Sequence, residues 1–81
     1  MPEICRFFGM IVAMYYNDHP PPHFHVRYGD QKATIDIETL DVLEGTLALV
    51  QEWASLHQDE LRDDWERARQ LAPLVKIQPL E

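Results

Sequence analysis

The chain has one cysteine, Cys5, so no disulfide can form within it. A domain of 81 residues must then rest on its core, a metal or other chains. It also lacks a basic excess. Seven Lys and Arg stand against 14 Asp and Glu, a net charge of −7 with histidines neutral. That argues against a nucleic-acid binder, which carries a basic stripe; it suits a basic protein partner, or simply solubility. Long apolar runs are missing too. The longest, residues 10–16, falls far short of the roughly 20 residues that cross a bilayer. Met1-Pro2-Glu3 opens on an acid, not on the basic segment of a signal peptide. With the lone thiol, this makes the cytoplasm the expected location. No repeat or low-complexity segment appears. What is there, 46% hydrophobic and 26% charged residues, is the composition of one folded domain over residues 1–81.

Residues 10–16 (Met-Ile-Val-Ala-Met-Tyr-Tyr) are β-branched and aromatic, the pattern of a strand. Residues 4–8 read as its extension, with Gly9 as a bulge or kink. Asn17 to Pro22 must be a loop, because Pro20, Pro21 and Pro22 cannot continue a ladder. Residues 23–28 and 33–37 each alternate apolar and polar side chains, the mark of half-buried strands, around a turn at 29–32. A short strand at 41–44 follows. Leu47, Val50, Ala54, His57, Leu61, Trp65 and Ala68 then recur at spacings of three and four. That predicts one helix over 46–72, with Gly45 before it, Thr46 as N-cap and Pro73 as its end. Its first half should lie on the sheet and its second half project toward another chain. The tail from Leu74 reads as extended along the sheet edge. Cys5 reads as a small buried hydrophobe, His57 as a core histidine, and Trp53 and Trp65 as core or interface anchors.

A simple hairpin around 29–32 would put Tyr28 opposite Ala33, Val26 opposite Ile35 and Phe24 opposite Ile37, one apolar face. The other face would then pair Arg27 with Thr34, His25 with Asp36 and His23 with Glu38. Directly opposed side chains interact, and three readings follow. One is a stabilising His–carboxylate ladder. The second is a site for zinc or a similar divalent metal, because His-x-His places both imidazoles on one face and His19 could join His23 and His25. The third is acid–base catalysis by a histidine held by Asp36 or Glu38. No nucleophile, phosphate loop or oxyanion motif accompanies them. Pairing the first strand across the proline loop assigns Ile11, Ala13 and Tyr15 to the core, and Met10, Val12, Met14 and Tyr16 to the histidine side. A mixed Met, Tyr and His surface is rarely left bare. Met10, Met14 and Tyr16, with Trp65 on the projecting helix, are thus the expected interface.

The string Asn17-Asp18-His19-Pro20-Pro21-Pro22-His23-Phe24-His25-Val26-Arg27-Tyr28-Gly29, followed by Ile35-Asp36-Ile37, resembles a widespread family of short prokaryotic proteins, domain of unknown function 4160. Met1-Pro2-Glu3-Ile4, Arg6-Phe7, Glu52-Trp53-Ala54, Leu56-His57, Trp65-Glu66 and Ala68-Arg69 are similar to it as well, so the resemblance spans the chain. One departure is visible. Members commonly carry a few more residues, often Pro and Arg, between the positions of Glu44-Gly45 and the helix. The resemblance brings no established activity. It implies, by the frequent pairing of members with a second small uncharacterised domain, an arrangement similar to toxin–antitoxin modules. It would place any family site at His19, His23 and His25, with Asp36.

The expected fold is α+β, an antiparallel meander of three to four strands packed against one long C-terminal helix. The leading functional expectation is a non-catalytic interaction protein, self-associating or bound to a small protein partner as half of a two-gene toxin–antitoxin-like module. The alternative is a metal-dependent or histidine-based hydrolase, a ribonuclease-like toxin, using the His23/His25 face.

Overall fold

The computed structural model describes residues 2–44 and 48–80. Its first feature is a turn that the apolar run conceals. Phe8 and Gly9 both have positive φ, +49° and +78°, the two-residue turn whose twist suits a tight hairpin. Residues 4–8 are therefore not an extension of the next strand. They belong to a separate strand β1 (Glu3–Phe7), which folds back on β2 (Met10–Ala13) with Phe7 opposite Met10. Gly9 is required twice over, since a Cβ there would also lie 3.1 Å from the Tyr28 ring.

β3 (His23–Tyr28) and β4 (Gln31–Asp36) form the second hairpin, and β5 (Val42–Glu44) completes a five-stranded antiparallel sheet in the order β1-β2-β3-β4-β5. The α+β meander expected from the pattern is thus present, with the extra strand at its start. Gly29, at φ +58°, opens a two-residue turn in place of the four-residue one expected. The register accordingly differs by two: Tyr28 faces Gln31, Val26 faces Ala33 and Phe24 faces Ile35. A shift of two keeps every side chain on its face, so Phe24, Val26, Ala33 and Ile35 still meet in the core.

β2 differs in the other sense. Val12 lies opposite Val26, so Met10, Val12 and Met14 are the buried side, while Ile11 and Tyr15 turn toward His25. Both faces of this run are apolar, so pattern alone could not choose between them, and a one-residue slip exchanges them.

The helical segment is two helices, α1 (Ala48–Leu56) and α2 (Gln58–Arg69). The break is at His57, whose φ of −129° is not helical. Asp59 and Glu60 then open α2, and Arg67 and Arg69 close it, each sign matched to the helix dipole. α2 ends before Pro73. The Ala72 N–H donates to the Arg67 carbonyl and the Leu71 N–H to the Ala68 carbonyl, with Leu71 at φ +58°. This is a Schellman closure, with leucine where glycine is usual. The expected punctuation at Gly45, Thr46 and Leu47 lies outside the described residues.

Neither helix projects. Trp53 is fully buried between the Phe7 and Phe24 rings, and its indole N–H donates to the Gln78 carbonyl at 2.8 Å. Leu61, Trp65 and Ala68 bury the inner side of α2 in the same core. The tail runs along β1, where the Ile77 N–H donates to the Ile4 carbonyl at 2.8 Å. Cys5 is buried as expected, and burial pushes its thiol up from the ordinary value, with the nearby Glu3 adding to the shift.

Candidate metal centre

Between β2 and β3 the chain turns sharply. Asn17 adopts positive φ (+53°) and its N–H donates to the Ala68 carbonyl at the end of α2. The proline run then returns the chain to the sheet, where Pro22 accepts a hydrogen bond from the Ile37 N–H. The Pro20–Pro21 peptide is cis. Proline fixes φ at every step of this return, so the loop presents its side chains in a defined direction. The one that points at the histidines is Asp18.

His23 is 3% exposed, unusually deep for an imidazole. Its Nδ1 lies 2.6 Å from the Pro21 carbonyl oxygen and its Nε2 lies 2.9 Å from Asp18 Oδ2. His25 Nε2 approaches the same Oδ2 at 3.2 Å. Asp18 Oδ1 faces the other way and accepts the His19 N–H at 2.8 Å, with His19 Nδ1 at 2.9 Å. Burial raises the Asp18 pKa, but the hydrogen bonds from His25 and from the His19 N–H, together with the charge of His23, outweigh it. The carboxyl ends below its ordinary value.

The hydrogen-bond roles decide what this cluster can do. A carbonyl only accepts, so His23 Nδ1 carries a hydrogen and a neutral ring has its lone pair at Nε2. That lone pair faces a carboxylate oxygen at 2.9 Å. Two electron pairs share such a gap only with a positive charge between them, either a proton or a metal ion. A histidine that donates one ring N–H to a backbone carbonyl and turns the other nitrogen inward has the orientation of a metal ligand. His23 Nε2, His25 Nε2 and Asp18 all lie within 4.8 Å of one another, the one such group among the described residues. Ligands at about 2.0–2.1 Å from a tetrahedral ion stand about 3.3 Å apart, close to the two distances seen. Two imidazoles and one carboxylate suit zinc and its neighbours.

Of the residues expected from the sequence, His23 and His25 come together and His19 stands at the rim, its side chain 82% exposed and its ring 5.3 Å from that of His23. The carboxylates expected opposite them do not take part. Asp36 does lie across from His23 in the ladder, but its Oδ1 accepts the N–H groups of Glu38 and Thr39 and so builds the β4–β5 turn. Glu38 pairs with Arg62 at 2.7 Å. Met10 and Met14 are core residues, and Trp65 is buried with its ring 5.3 Å from that of His23. Trp65 therefore walls the site and is not an interface. Tyr16 is exposed. Tyr15, assigned to the core by pattern, instead stands edge-on to His25, ring centroids 4.5 Å apart. The residue that spacing missed is Asp18; its only signal was its place in the same loop as His19.

Neither the curated proteins nor the solved structures include a match to this chain. Residues 9–66, which contain the whole Asp18–His23–His25 cluster and the Gly29–Asp30 turn, match the family described as Domain of unknown function (DUF4160), and the chain belongs to that family.

Proposed function

We propose that this chain binds one divalent ion of the zinc class through Asp18, His23 and His25, and that the centre is a small hydrolytic site. The observation that supports it most is the inward-facing His23 Nε2, fixed by the Nδ1–H bond to Pro21 and set against Asp18 Oδ2. Asp18, His23 and His25 would hold such an ion by three ligands, and the ion would supply an acidified water for hydrolysis. The chain's own groups do the rest. Pro21 fixes the ring of His23, Trp65 and Tyr15 shield the two imidazoles, and His19 holds the second oxygen of Asp18 from the rim.

Light scattering after gel filtration, with elemental analysis of the peak, tests this on untagged protein supplied with zinc. About one zinc per chain is expected in the native protein, and little in Asp18→Asn or His25→Ala. His25 is partly exposed, so its loss should leave the fold intact. Native protein that retains no metal would overturn the reading.

The second reading is non-catalytic self-association or pairing with a small protein, in a toxin–antitoxin-like module. The buried Met10 and Met14 no longer support it, but the exposed Phe8 and Tyr28, which flank Gly9 at one end of the sheet, do. A metal-free peak at dimer mass or above would favour it.

A further inference from the structure

Five of the seven basic side chains have a carboxylate partner: Arg6 and Lys76 with Glu3, Arg62 with Glu38 and Asp59, Arg67 with Asp64, and Arg69 with Glu66. Arg27 and Lys32 have none among the described residues. These two stand directly opposite each other across β3 and β4. Like charges in that position repel and weaken a sheet. In a chain with 14 acidic residues, a carboxylate partner would be easy to supply. Arg27 is also two residues from His25 on the same strand face. Ile11, Tyr15, His25, Val26, Arg27 and Lys32 line one cleft of about 60 Å³. A single water needs about 10–15 Å³, so the cleft admits a group of several heavy atoms.

We infer that this cleft holds the phosphate of a small phosphate ester, with Arg27 and Lys32 neutralising its charge beside the imidazole of His25. A guanidinium fork and an ammonium are the usual pair of donors for phosphate oxygens. The net charge of −7 repels a long polyanion, while two local cations suffice for one phosphate group. The inference rests on the hydrolytic reading and gives it a substrate class. Water oxygen forms a new bond to phosphorus, the ester P–O bond breaks, and the leaving oxygen takes the proton that the water loses. No oxidant or reductant is needed.

The test is calorimetric titration of inorganic phosphate into the full chain, with and without one equivalent of zinc, for the native protein and for Arg27→Gln/Lys32→Gln. Both residues are exposed, so the variant should fold. We expect phosphate binding to weaken at least about tenfold in the variant, with zinc binding unchanged. Hydrolysis of p-nitrophenyl phosphate and of its bis ester then distinguishes monoester from diester use. Native protein that binds no phosphate, or a variant that binds it equally well while both hold zinc, would overturn the inference. Phosphate binding that is lost in the variant, in a chain that holds no zinc, would support the anion site while sinking the metal centre.

Discussion

Two carboxylates in this chain, one fully buried and one half-buried, do different work. Asp64 on α2 is fully buried; one oxygen accepts from Arg67 at 2.8 Å and from the Val75 N–H at 2.9 Å. It ties the tail to the helix, and its partners are a guanidinium that stays charged and a backbone amide. Asp18 is surrounded instead by three imidazoles, the commonest metal-binding side chains. The chemistry of the partners separates the structural carboxylate from the candidate functional one.

Three substitutions and one labelling experiment sharpen that contrast. The largest effect should be on metal affinity. His25→Ala removes a ligand and should lower zinc affinity more than about 100-fold, above the usual loss for a supporting residue; calorimetry reads it. Asp64→Ala should leave zinc affinity unchanged but destabilise the fold by about 2 kcal/mol, since charged and backbone hydrogen bonds are lost together. Urea denaturation measures that, and a large loss of zinc affinity in a folded Asp64→Ala would erase the distinction. His19→Ala should cost less than about 0.5 kcal/mol of stability, as expected of an exposed pair, and should leave the zinc stoichiometry at one. The smallest effect concerns Cys5, a buried titratable group apart from the histidine cluster. Its raised pKa keeps the thiol protonated, so the native chain should react with a thiol reagent only at the rate of unfolding. The same shift leaves stability intact below the thiol's ordinary value and withdraws it as pH rises through the folded one.

Much of this was legible beforehand. Alternation in residues 23–28 and 33–37 gave the hairpin and its apolar face, and the proline run marked the loop. His-x-His on a strand must share a face, and His23 and His25 do meet at Asp18. The carboxylate was misplaced for a definite reason. Residues 29–32 could close a turn of two or four residues, and the choice moves Asp36 and Glu38 by one pair each. Asp18 reaches His23 only because the loop folds back through Asn17 at positive φ, a path with no periodic signature. The helix break at His57 was obscured by a stripe that continues across it, although Asp59 and Glu60 already marked a new helix start. The Phe8–Gly9 turn was hidden because phenylalanine seldom takes positive φ.

The most direct test of the account is the protonation of His23, read by long-range ¹H–¹⁵N correlation of the imidazoles before and after one equivalent of zinc. The account predicts a hydrogen on Nδ1 in both states, and zinc-shifted Nε2 signals for His23 and His25 together. A neutral His23 with its hydrogen on Nε2, or ring signals that ignore zinc, would contradict it.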